Sequence, residues 1–153
     1  MDMGKIIDLA AKADGLLEKL SSPVLLLFRL YVAQIFFNSG LIKLSNFDST
    51  VALFENEYQV PVLSPMLAAV AGTGAELALP VLLALGIGSR FTGVAFFVFN
   101  LVAVLSYPDI SDAGIKDHML WGAILAVIAT VGPGKIAVDT LLARLFKPTP
   151  RTA

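Results

Sequence analysis

Four apolar runs constrain this chain more than anything else in it. A helix crossing about 30 Å of hydrocarbon needs about 20 mostly apolar residues. Pro23–Leu44, Leu63–Ile87, Phe91–Tyr107 and Ile115–Val131 approach or meet that length. They predict an all-α protein, a four-transmembrane-helix bundle. The first run is interrupted by Arg29, Gln34, Asn38 and Lys43, the second by Glu76 alone among charges, and the third by Asn100. The fourth has a clean apolar core only from Met119 to Val131. Composition agrees: 57% of residues are hydrophobic and 15% charged, against about 45–50% and 25% in soluble domains. A soluble enzyme and a disordered chain are both excluded on that ground.

The formal net charge of −1 provides no basic field for nucleic acid. The chain has no Cys, so disulfides, thiolate metal sites, cysteine-held iron–sulfur clusters and thiol nucleophiles are ruled out. One His is too few for a protein-only zinc or bis-His haem centre, and no metal site is expected.

Punctuation divides the chain into residues 1–20, 21–134 and 135–153. Ser21-Ser22-Pro23 reads as a helix start, Gly86-Ile87-Gly88 as a break and Gly132-Pro133-Gly134 as a stop. Ser45–Val62 and Pro108–Gly114 read as loops. In Lys5–Leu20, apolar Ile6, Leu9, Ala13, Leu16, Leu17 and Leu20 recur at helical spacing, with Lys5, Lys12 and Lys19 elsewhere. Ile136–Phe146 repeats the pattern. Both ends are expected to be amphipathic helices, either lying on a membrane surface or packing on the bundle ends. Lys5, Lys12, Lys19, Arg90, Lys135, Arg144, Lys147 and Arg151 fall on one side of this topology, against Lys43 and Lys116 on the other. By the positive-inside rule both termini are cytoplasmic.

Charges within hydrocarbon cost about 2.5–3.5 kcal/mol at a helix centre, so they face protein, water or ligand. At 1.5 Å per residue, Glu76 and Asn100 sit roughly 16 Å from the inner boundary, Gln34 roughly 18 Å and Arg29 roughly 10 Å. Trp121 falls near the same level and His118 above it. Arg29 can reach Glu76 or withdraw to the interface. Pro80 has no N–H for the Glu76 carbonyl, which leaves a free backbone acceptor there. Three readings stay open for this layer: structural ion pair and interhelical bonding, a ligand or quinone site, or a proton path. Lys43 either snorkels or faces Asp117 or His118; Asp117 reads as the cap of the fourth helix.

Three stretches in this order resemble the DoxX family of small bacterial membrane proteins. They are "LLLFRLYVAQIFFNSGLIKL" with Arg29, Gly40 and Lys43, "GAELALPVLLALGIGSR" with Glu76, Gly86 and Arg90, and "KDHMLWGAILAVIATVGPGKIAVD" with Gly132-Pro133-Gly134 and Asp139. The resemblance spans Val24–Leu145 and implies four membrane helices and a redox association. Some family members are subunits of a thiosulfate:quinone oxidoreductase or of a complex with superoxide dismutase and a sulfurtransferase. It assigns no role residue by residue. Without Cys, redox work in this chain requires a noncovalently bound cofactor, of which a quinone fits best; Arg29, Gln34, Glu76, Asn100, His118 and Trp121 are its candidate contacts. The expected function is therefore a multi-pass inner-membrane subunit of a redox or stress complex, at most a quinone-linked oxidoreductase subunit. Membrane lipids and a protein partner are its expected contacts. A noncatalytic anchor for a soluble partner and a small homo-oligomeric transporter are the alternatives.

Overall fold

The structure is a computed structural model and describes residues 2–146. Among those residues it is all-helical. The elements are α1 (Met3–Ser45), α2 (Phe47–Asn56), α3 (Pro65–Leu85), α4 (Ser89–Leu105), α5 (Asp112–Val131) and α6 (Val138–Leu145). Three of them, α1, α3 and α5, are long and apolar enough to cross a membrane; α4 is apolar but only 17 residues long. Residues 147–153 of the expected C-terminal segment lie outside the described residues, and α6 carries the rest.

Helix α1 pairs with α3, α3 with α4 and α4 with α5, and contact between α5 and α1 closes the ring. The centre is filled by Val32 and Phe36 of α1, Leu83 of α3, Phe96 of α4 and Leu125 and Ile128 of α5. Phe36 and Phe96 meet edge-on at 4.8 Å between ring centroids, an arrangement that brings the positive ring edge to the negative face.

Two sequence expectations are corrected here. Ser21-Ser22-Pro23 does not begin a helix: α1 is one helix of 43 residues that runs through Pro23, about 64 Å long. Proline removes one N–H and leaves the Lys19 carbonyl without that partner, yet the helix is unbroken on both sides of it. Met3–Leu20 is helically continuous with the rest of α1. The stretch Ser45–Val62 is not wholly loop either, since it contains α2. Asn46 accepts a hydrogen bond from the Ser49 amide at 3.1 Å and so caps α2, and the Thr50 hydroxyl donates back to the Lys43 carbonyl at 2.8 Å.

Helix α2 is needed because α1 stops short. Gly40 lies against Glu76, where an added Cβ would stand 3.0 Å from the Glu76 Cβ. From that level α1 runs on for only five residues, about 8 Å, whereas α3 extends eleven, about 16 Å. Helix α2 covers the uncovered end of α3, with Phe54 packed on Ala68 and Ala69 and seated over Gly72. The start of α5 differs too: Ser111 caps it, accepting from the Gly114 amide at 3.1 Å, and Asp117 sits exposed within the helix.

Candidate functional site

The polar residues of the bundle fall into three separate groups instead of one layer. The first joins α1 to α3. Lys43 Nζ donates to both Glu76 carboxylate oxygens at 2.8 Å and to Ser39 Oγ at 2.9 Å. Ser39 and Lys43 are four residues apart, hence on one helical face. Gly40 between them has no side chain to hold α3 away, so Glu76 closes on the ammonium. Side-chain exposure is 15% for Lys43 and 10% for Glu76, so the pair is largely dry.

The second group joins α4 to α5. Asn100 Nδ2 donates to the His118 carbonyl at 3.0 Å, and Asn100 Oδ1 lies 2.8 Å from His118 Nδ1. With that contact assigned as N–H···O, His118 donates through Nδ1 and its Nε2 is left as an acceptor. The His118 ring meets Trp121 at 4.8 Å, and Trp121 meets Phe36 at 5.2 Å. Trp121 Nε1 is buried with no hydrogen-bond partner among the described residues. Phe36 also meets the His118 ring, at 6.2 Å, so α1 touches this group through apolar ring contacts.

The third group closes the end of the bundle where the family-pattern residues Arg29, Gly86, Arg90 and Asp139 meet. Arg29 is 0% exposed and donates through Nη2 to the Ile136 carbonyl. Gly86 ends α3 with φ +71°, and a Cβ there would run into Arg29 Nη1 and Ala137. Asp139 accepts from the Gly88 and Ser89 amides at 2.8 and 2.7 Å, capping α4 from fifty residues away. Burial works against its charge, but those two amides and the Arg29 cation outweigh burial and hold the carboxyl below the ordinary carboxylate range. Arg90 caps the other helix end: Nη1 and Nη2 donate to the Thr130 and Val131 carbonyls at 2.6 and 3.2 Å. These are caps and staples, placed where orphan helix-end groups need partners.

Arg29 therefore does not reach Glu76. It packs beside Gly86, ten residues further along α3, or about 15 Å away. Lys43, expected to snorkel or to face Asp117 or His118, is the residue that pairs with Glu76. Gln34 is exposed on the outside of the bundle, in an open groove that α1 forms with Pro80 and Val81 of α3, and belongs to none of the three groups. Of the six candidate contacts, only Asn100, His118 and Trp121 are brought together.

The Lys43–Glu76 pair borders a cavity of about 300 Å³ between α2, α3 and α4. Its walls are otherwise apolar or neutral, among them Phe54, Ala71, Ala75 and Phe99, and Tyr58 stands at its rim. Tyr58 stacks on Phe54 at 4.7 Å and meets Tyr107 at 5.0 Å. Burial, then the charge of Glu76, then Tyr107 and Glu57 push the Tyr58 phenol up, so it stays a hydrogen-bond donor. Lys43 and Tyr58 also line a shallower depression with Ser39 and Thr50 on the other side. Sequence reading missed Tyr58, Phe54 and Ser39. The spacing of Ser39 and Lys43 was the available signal, whereas Tyr58 lay in a stretch taken for loop.

The DoxX family model matches residues 24–108, from the inner part of α1 to just past α4. An Escherichia coli inner membrane protein, YphA, is 33% identical over 129 residues, covering 76% of this chain and 89% of its own. An uncharacterized Haemophilus influenzae protein is 28% identical over 133 residues, covering 82% and 87%. No solved structure matches. With the family model matched over more than half its length, this helical membrane protein belongs to the DoxX family.

Proposed function

We propose that this chain is a four-span inner-membrane subunit with both termini in the cytoplasm, and that it binds a quinone-class ligand in the α2–α3–α4 cavity. The observation that carries the reading is the cavity itself: about 300 Å³, apolar, with Lys43 and Glu76 its only charged lining residues. That volume is at the lower end for small-molecule sites, and one polar locus in an apolar pocket is their usual composition. The location follows the family and the Escherichia coli relative; the orientation follows the Lys and Arg distribution.

The residues present fit a quinone head. The protonated Tyr58 is a donor suited to its carbonyl oxygens, Lys43 can turn to it the one proton now given to Ser39, and Phe54 and Phe99 offer aromatic faces. When bound, a quinone supplies two-electron, two-proton chemistry. The chain's own part is to orient the head and exclude water, with the Lys43–Glu76 pair as the one charged locus in the wall. The Asn100–His118–Trp121 group, which lies outside this cavity, serves to bind α4 to α5.

Thermal unfolding in detergent with added short-chain ubiquinone or menaquinone tests the assignment. At a hundredfold excess over Kd, stabilisation is about 2.7 kcal/mol, or roughly 5–10 °C in Tm. Ala75→Phe, which fills the cavity, removes the shift, and Tyr58→Phe reduces it. An equal shift in wild type and Ala75→Phe places the ligand elsewhere, and no shift with any quinone ends the proposal.

A further inference from the structure

Gln34 and Asn38 interrupt the apolar outer side of α1, and neither amide has a hydrogen-bond partner among the described residues. Both are exposed, whereas Leu25, Arg29, Val32 and Phe36 on the other side are buried. An amide turned to hydrocarbon forfeits its hydrogen bonds with no water to replace them. Gln34 also occupies a particular register. Ile6, Leu9, Ala13, Leu16 and Leu20 alternate at intervals of three and four, and the same count continues through Pro23 to Leu27, Leu30, Gln34, Phe37 and Leu41. All are exposed except Phe37, which is half-buried.

A seam repeating every 3.5 residues is the pattern of a helix that supercoils about another. The continuity of α1 through Pro23 decides how the seam is covered. Residues Met3–Leu20 carry the same helix on for about 27 Å and, Gly15 apart, are exposed. A helix that continues a span without a break does not make the right-angled turn needed to lie flat, so its leucines cannot all sink into the interface plane. They stand in water unless another helix covers them.

We infer that α1 is a homodimerisation helix, two copies pairing in parallel along this seam with their Gln34 amides bonded to each other. A second copy is the occupant for two reasons. A glutamine amide is donor and acceptor at once, so two of them facing across a twofold axis satisfy one another. In addition, Lys5, Lys12 and Lys19 all flank the seam on one side, and Ala10, Leu17 and Val24 flank it on the other. Parallel pairing sets each lysine beside an apolar residue of the partner that its stem can cover. Antiparallel pairing sets lysines against lysines. A single polar residue in such a seam fixes register and strand number.

The chain has no cysteine, so single introduced cysteines report on the seam without background. In oxidised native membranes, Leu9→Cys and Leu16→Cys give disulfide-linked dimers of this chain, while Ala11→Cys and Glu18→Cys on the far side do not. Gln34→Leu, an exposed substitution that leaves the bundle folded, weakens self-association roughly three- to fifteen-fold in a detergent dilution series, the range for interhelical hydrogen bonds in bilayers. Gln34→Asn retains most of it. Absent or uniform cross-linking at the four positions, cross-links only to a different protein, or unchanged association in Gln34→Leu each overturn the inference.

Discussion

Removing the Lys43 ammonium tests whether the Lys43–Glu76 pair is a dry, mutually dependent unit. Lys43→Met keeps the length of the stem and deletes three hydrogen bonds, two to Glu76 and one to Ser39. The carboxylate left behind is 10% exposed, with Gly40 and Leu77 packed close to its stem. Breaking such a pair from one side costs about 3–5 kcal/mol, mostly from stranding the other charge. Removing both charges in Lys43→Met/Glu76→Met strands nothing, and paired apolar replacements of this sort are close to neutral. The exposed Lys12–Asp8 pair is the control: at 72% and 65% side-chain exposure, an i,i+4 pair is worth about 0.3–0.5 kcal/mol before screening. Reversible unfolding of Lys43→Met, Lys43→Met/Glu76→Met and the control Asp8→Asn in mixed micelles therefore gives a large loss, a near-complete recovery and almost no change. The reasoning fails if Lys43→Met lies within about 1 kcal/mol of wild type, or if the double variant is no more stable than the single one. A recovered double variant that no longer responds to quinone separates the pair's ligand role from its structural one.

Three further outcomes follow from the helix ends and from the α4–α5 contact. Gly86→Ala meets Arg29 and Ala137 in addition to left-handed strain, whereas Gly88→Ala, at φ +54° with only Thr92 Oγ1 at 3.8 Å, carries the strain alone; the first should cost at least about 2 kcal/mol more than the second in thermal unfolding, and equal losses refute the Arg29 seat. Asp139 has a lowered folded-state pKa, so its contribution is present above the unfolded value near 4 and fades as pH falls through and below it. Acid titration should accordingly destabilise wild type more than Asp139→Asn, and parallel curves would contradict the cap. Asn100→Leu removes both contacts to His118 and should cost about 1–3 kcal/mol, with a changed His118 ring signal in NMR; an unaltered signal would mean that the amide does not hold the ring.

Much of the architecture was legible because helices announce themselves locally. Apolar length marks α1, α3, α4 and α5, while Gly86 and the Gly132-Pro133-Gly134 turn mark where the chain reverses. Helix α2 was hidden because its ten residues mix polar and apolar positions; its helicity depends on Phe54 finding Gly72, eighteen residues further along the chain and across a turn, a contact that no short window contains. Ser21-Ser22-Pro23 misled for the opposite reason. Local capping chemistry was present, but it was overridden by packing that binds the Ser22 hydroxyl to the Lys135 amide at 3.0 Å.

The sequence by itself determined that this is a helical membrane protein, its apolar helices, its family pattern and the depth of each polar group along its own helix. Depth is readable because every residue adds a fixed rise. Only the tertiary structure decided which group meets which: Lys43 and not Arg29 on Glu76, Asn100 on His118, Gln34 on the outside. Those pairings depend on how far helices slide past one another and how each is turned about its axis. Both are set by side-chain packing between segments far apart in the chain, such as Gly40 against Glu76 and Arg29 in the space that Gly86 leaves.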